Sequence, residues 1–197
     1  MTPASPRLGI LGGTFDPVHI GHLAAAVEVR HALGLDKVLF VVANVPWQKV
    51  GSRAVTPAED RYAVVEAAVA ELDGVEASRM EIDRGGPSYT ADTVGELQRR
   101  HPGGELFLVV GSDVVAELAT WVREDEVREA VTLAVVSRPG VPVRVPPAPW
   151  RTEVVPMRPL DVSSSELRQR AAAGRPLDVL VPAAALRQIR RRGLYAG

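Results

Sequence analysis

The 197 residues include no cysteine, so disulfides, thiolate metal sites and a cysteine nucleophile are all excluded. Lysine is almost missing too: Lys37 and Lys49 stand against 21 arginines. No apolar run approaches the length of a membrane span, and the opening MTPASPRLGILGG has no basic region ahead of a long apolar stretch. The expectation is a cytoplasmic protein without signal peptide or anchor. There are no internal repeats, and no Gly-Lys-Ser/Thr of a P-loop. Net charge is only -1, yet residues 151–197 carry 9 basic and 4 acidic side chains against 14 and 20 in residues 1–150. That surplus reads as a solvated Arg-rich helix, Arg187 to Arg192, rather than a nucleic-acid surface.

With 46% hydrophobic and 24% charged residues, the composition is that of a soluble globular protein, and the length favours a single domain over 1–197. The runs Leu8–Leu11 and Val38–Val42 are short, β-branched and bounded by Gly, Asn or Pro, which predicts buried strands. Between them a helix is expected from about Ile20 to Leu33, stopped by Gly34, with an apolar stripe through Leu23, Ala26 and Val27. Strand, helix and strand make a parallel βαβ unit, which puts the glycine-rich turn at the carboxyl edge of the sheet. Thr56-Pro57-Ala58-Glu59 has the pattern of a capping box with Pro first in the helix, ahead of Val64, Val65, Ala68 and Leu72.

A strand near Val75–Ile82, a helix capped by Thr90 and reaching Arg100, and the apolar strand Leu106–Val110 follow. Helical residues over Asp113–Ala130 and a strand Thr132–Val136 complete the alternation of a Rossmann-like, doubly wound parallel sheet. Arg138–Trp150 holds five prolines and can only be an exposed connection. A short strand near Glu153–Val155 precedes helices at Ser163–Ala173 and Pro182–Arg192, so the C-terminal part, about 163–197, is helical.

The run GGTFDPVHIGH, residues 12–22, carries most of the chemical information. Gly12 and Gly13 clear side chains from a place where backbone must bend towards a ligand, and the amides that follow can point at oxyanions. Asp16-Pro17 reads as a helix cap and first helical residue, which sets His19 and His22 on one face of the first turns. Side chains lean towards the N-terminus of a helix, so both imidazoles aim at the pocket. Two imidazoles at the positive end of a helix suit an anion that gains charge, such as a triphosphate losing pyrophosphate. Zinc fits poorly, because three or four ligands are needed and the remaining histidines, His31 and His101, have no fitting spacing. A dinucleotide-binding turn fits poorly as well, since Gly9, Gly12 and Gly13 do not make G-x-G-x-x-G.

The run GTFDPVHIGH resembles the (H/T)xGH signature of the nucleotidyltransferase superfamily of adenylyl and cytidylyl transferases. Val162-Ser163-Ser164-Ser165-Glu166-Leu167-Arg168 resembles that superfamily's ISSTxxR element. Gly86-Pro87-Ser88-Tyr89-Thr90 with Asp92-Thr93 is similar to the S-Y-T-x-x-T segment of nicotinate-nucleotide adenylyltransferases, and Gly111-Ser112-Asp113 with Trp121 to their GxD and tryptophan. The resemblance spans nearly the whole chain. It departs at Pro46-Trp47-Gln48-Lys49, where many relatives have Pro-Pro-His-Lys; the lysine is retained.

The resemblance implies adenylyl transfer from ATP to nicotinate mononucleotide, with Mg²⁺ accompanying ATP and no metal held by the protein alone. The alternatives are nicotinamide mononucleotide or phosphopantetheine as acceptor, and a non-catalytic nucleotide-binding protein. It implies ATP contacts from Gly12, Gly13, Thr14, Phe15, His19, His22, Asp113, Ser163, Ser164, Ser165 and Arg168. Lys49, Tyr89, Thr90, Trp121 and Arg138 are implied around the mononucleotide, Trp121 being open to core packing instead. His19, His22, Lys49 and Arg168 are the implied catalytic set. No nucleic-acid or membrane partner is expected, and homo-oligomerisation is left open.

Overall fold

The computed structural model describes residues 5–46, 54–137, 143–158 and 160–196. Lys49, Trp47, Gln48 and Arg138 lie outside them. Six strands form one parallel sheet in the order β3-β2-β1-β4-β5-β6, with β1 Arg7–Gly13, β2 Lys37–Val42, β3 Val75–Ser78, β4 Glu105–Gly111, β5 Val131–Val136 and β6 Thr152–Val155. The helices are α1 Ile20–Ala32, α2 Ala58–Val69, α3 Met80–Arg84, α4 Thr90–Arg100, α5 Glu124–Ala130, α6 Ser164–Ala172 and α7 Ala183–Arg191. This is the doubly wound arrangement expected from the alternating pattern. No helix of the described residues is long and apolar enough to cross a membrane.

Because helices cover both faces, the central strands are apolar on both sides. Leu106, Leu108 and Val110 of β4 join Ile10, Leu133 and Val135 in one half of the core, beneath α4 and α5. Phe107 and Val109 point the other way and pack with Phe40, Val64, Leu186 and Ile189, beneath α1, α2 and α7. Each such fully buried side chain contributes roughly 1.5–3 kcal/mol.

One feature of the sheet creates the site. β1 pairs with β4 from Arg7 opposite Glu105 to Ile10 opposite Leu108 and no further. β1 stays with β2 as far as Gly13 opposite Val42, and β4 stays with β5 as far as Gly111 opposite Val136. The two middle strands therefore part after Ile10 and Leu108 at the point where the strand order reverses, and a crevice opens between their carboxyl ends.

Several local expectations need correction. The strand begun at Val75 stops at Ser78, and Met80–Arg84 is a helical turn, not the end of a strand. Pro57, not Thr56, caps α2, and no side chain closes a capping box there. Likewise Tyr89 caps α4 and Thr90 is its first residue. Asp113–Ala130 is not one helix: a 3₁₀ segment, Val114–Thr120, is separated from α5 by Trp121. In α1 the buried face runs through Ala25, Ala26 and Val29, leaving Val27 45% exposed. The cap on α6 is as expected, with Ser163 Oγ accepting Glu166 N–H at 3.2 Å.

Candidate active site

A cavity of about 280 Å³ occupies the crevice between β1 and β4. Its floor is made by Leu11, Gly12, Gly13 and Val109–Gly111, and its rim by Thr14, His22, Ser88, Tyr89, Thr90 and Trp121. Of the residues expected around ATP, Gly12, Gly13, Thr14 and His22 are in the wall, and of those expected around the mononucleotide, Tyr89, Thr90 and Trp121 are too. Phe15 is not. Its backbone is left-handed, with φ of 49°, and its ring is buried between Phe40, at 5.3 Å, and the edge of His22, at 5.1 Å. A left-handed bulky residue is strained, and outliers of this kind cluster where structure serves function. Gly13 makes room for it, since a Cβ there would lie 2.9 Å from the Phe15 ring.

The histidines sit differently from the expectation. Asp16 does not cap α1; His19 does, with extended backbone, and the helix begins at Ile20. The His19 and His22 rings stack with centroids 3.7 Å apart and planes 30° apart. His19 is only 5% exposed and lies outside the cavity wall, behind His22. Gly21 is the reason that this stack fits, because a Cβ at 21 would press on the His19 ring at 3.1 Å. His22 Nδ1 accepts the His19 backbone N–H at 3.2 Å. A neutral imidazole that accepts at Nδ1 carries its proton on Nε2, so His22 is set up as a donor there.

Freed from capping, Asp16 is a buried anchor, 1% exposed. Its side chain accepts the Tyr195 hydroxyl at 2.8 Å, a link across 179 positions, and its carbonyl accepts Arg168 Nη1 at 2.6 Å. Burial pushes the Tyr195 hydroxyl well above its ordinary range, and the charge of Asp16 pushes the same way. Ser164 donates to the Pro17 carbonyl at 2.8 Å, and Arg168 Nη2 to Ser165 Oγ at 3.1 Å. The glycine strand, the histidine-led helix and the serine-led helix thus converge on Asp16-Pro17. Asp113 is exposed, directly after the cavity-lining Gly111 and the buried Ser112.

Beneath the turn lies Arg61, 1% exposed and unmarked by any motif. It donates to three carbonyls: Thr56 at 2.7 Å, Thr14 at 2.8 Å and Asn44 at 3.1 Å. On the opposite wall Trp121 is half-buried and packs against the core, and its indole nitrogen is buried without a hydrogen-bond partner among the described residues. It serves both as core and as cavity wall. Among the described residues no group of three or more His, Cys, Asp or Glu could hold a metal ion.

Comparison with known proteins bears on what this crevice serves. The family model described as cytidylyltransferase-like matches residues 10–170. A Corynebacterium kroppenstedtii protein named "Probable nicotinate-nucleotide adenylyltransferase" is 45% identical over 193 residues, covering 96% of this chain and 91% of that one. The chain belongs to this family. A Thermus thermophilus member of the same name is 44% identical over 96% of this chain and 99% of its own. The nicotinic acid mononucleotide adenylyltransferase of Plasmodium falciparum, solved in complex with NaAD, superposes with a TM-score of 0.79 over 96% of this chain and 97% of its own. Its 15% identity makes that a likeness of fold. In the cytidylyltransferase-like family setting, the (H/T)xGH and ISSTxxR resemblances correspond here to two elements that physically meet.

Proposed function

We propose that the chain, acting as one domain, transfers the adenylyl group of ATP to nicotinate mononucleotide, giving nicotinate adenine dinucleotide and pyrophosphate. The observation that carries this is the convergence on Asp16-Pro17, where Ser164 and Arg168 bond the very turn that delivers His22 to the crevice. Relatives above 40% identity over nearly the whole chain carry the name of this activity, which supports the choice of acceptor.

The acceptor's 5′-phosphate oxygen attacks the α-phosphorus as the bond to the bridging oxygen breaks, and pyrophosphate leaves with that electron pair. The nucleophile is already anionic, so no general base is needed, and positioning with charge stabilisation remains. His22 Nε2–H donates to the α-phosphoryl oxygens, with His19 holding its ring from behind. Arg168 and the start of α6, Ser163 to Ser165, receive the β- and γ-phosphates, and Gly12, Gly13 and Thr14 present main chain to the nucleotide. Asp113 takes a ribose hydroxyl. Mg²⁺ enters bound to ATP and neutralises phosphate charge as part of that substrate. Trp121 stacks on the pyridine ring and Thr90 receives its carboxylate, with Tyr89 alongside; Lys49 and Arg138 complete the phosphate contacts. All reactants are water-soluble, in keeping with the cytoplasmic expectation.

Incubation of purified protein with ATP, Mg²⁺ and either nicotinate or nicotinamide mononucleotide, with the dinucleotide identified by mass, tests the assignment. Nicotinate adenine dinucleotide is expected. Absence of any dinucleotide, or preference for nicotinamide mononucleotide, overturns it.

A further inference from the structure

A carboxyl that no motif marks sits beside the Ser88-Tyr89-Thr90 segment in the cavity wall. Glu81 sits on α3, the helical turn that replaces the expected end of a strand. It is 7% exposed and lines the cavity together with Ser88, Tyr89, Thr90 and Thr93. Its Oε1 accepts the Thr93 hydroxyl at 2.5 Å, and Ser88 stands beside it in the same wall.

The proton directions follow from the neighbours. Ser88 Oγ accepts the Asn44 backbone N–H at 2.8 Å, and Thr93 Oγ1 accepts Arg84 Nη2 at 3.2 Å. The Thr93 hydroxyl has one proton to give, and it goes to Glu81. Thr93 thus serves a buried carboxyl from within α4, one turn from the Tyr89 and Thr90 that open the helix.

An apolar side chain at 81 would pack α3 against the sheet without any desolvation cost. Burial pushes the Glu81 carboxyl above its ordinary range, opposed by the neighbouring Ser88 and Thr93 hydroxyls and by Arg84, and reinforced by Asp92. A carboxylate kept in such a place needs a purpose beyond packing.

We propose that Glu81 is a positioning residue for the acceptor: by taking the proton of Thr93 it holds the start of α4, and so fixes Tyr89 and Thr90, which open that helix, against the cavity. This rests on the assignment of that wall to the mononucleotide. Glu81 acts through its neighbours and touches neither reacting phosphate.

The test is steady-state kinetics of Glu81→Gln, which keeps the shape and replaces the carboxyl that takes the Thr93 proton by a weaker, uncharged acceptor. The KM for nicotinate mononucleotide should rise roughly tenfold while the KM for ATP stays within about twofold. Thr93→Val, also nearly isosteric, should act in the same direction, and its effect should largely vanish in the Glu81→Gln background. Thr93→Val also supplies the readout if Glu81→Gln fails to fold. Equal changes in both KM values, no change in either, or additive single effects would each refute the role. Wild-type protein run in parallel separates the premise from the inference. An inert wild type ends both, whereas an active wild type with an indifferent Glu81→Gln ends only this one.

Discussion

Arg61→Met removes the guanidinium beneath the phosphate turn and keeps most of the volume of its stem. Arg61 bonds carbonyls from three separate stretches: Thr14 after β1, Asn44 after β2, and Thr56 ahead of α2. A hydrogen bond from a charged donor contributes roughly 1.5–3 kcal/mol, but taking a guanidinium out of water offsets much of that sum. The loss is better reckoned from what stays behind: three carbonyls without their donor, at a little over 1 kcal/mol each, or about 3–5 kcal/mol in all. For a chain of this length each kcal/mol moves Tm by roughly 2–4 °C, so a fall of about 10 °C is expected in thermal unfolding followed by circular dichroism. Turnover measured well below the new Tm should fall too, because Thr14 belongs to the cavity wall. Lysine at 61 should not rescue, since a compact ammonium lacks the planar fork that spans three acceptors. A Tm within about 2 °C of wild type would show that the three bonds are energetically idle, and the reasoning would fail.

Other expectations concern single groups. His22→Ala should lower kcat by roughly 10²–10³ with an unchanged circular dichroism spectrum, and near-normal turnover in a folded variant would count against His22 as the phosphoryl donor. Trp121→Ala should raise KM for the mononucleotide and leave KM for ATP nearly unchanged; parallel losses would mark the indole as packing only. Glu81 should leave a pH signature in stability. Its folded carboxyl titrates above its ordinary 4.5, so the stability it contributes is present below 4.5 and is lost as pH rises through the higher folded value. The Tm of Glu81→Gln relative to wild type should therefore improve as pH rises from below 4.5 through the carboxyl's raised folded range, and a constant difference would show that the carboxyl is not desolvated as described.

Much of this was legible in the residues because periodicity and punctuation are local. The apolar runs gave away the central strands, and Ser163 announced α6 through the bond that it makes. Misreadings arose where a side chain with a good local pattern had a better distant partner. Asp16-Pro17 looks like a cap and first turn, but Asp16 is claimed by Tyr195 and Arg168 from the far end of the chain. Thr56 resembles the opening of a capping box, yet the helix begins after Pro57 with no side-chain cap. Val75–Ile82 alternates well enough for a strand, but after Ser78 the chain turns to bring Glu81 to Thr93. Arg61 and Glu81 had no signal at all, because a buried charge is recognised by its partners, and those lie across the fold.

The parting of β1 from β4 after Ile10 has a consequence for drug escape. Beyond that point the two strands present main-chain amides and carbonyls to the cleft, flanked by Gly12 and Gly13, which have no side chains to alter. An inhibitor whose polar contacts went to this peptide backbone would meet groups identical in every amino acid except proline. At the glycine turn itself substitution is obstructed, because any residue larger than glycine at 13 collides with the Phe15 ring.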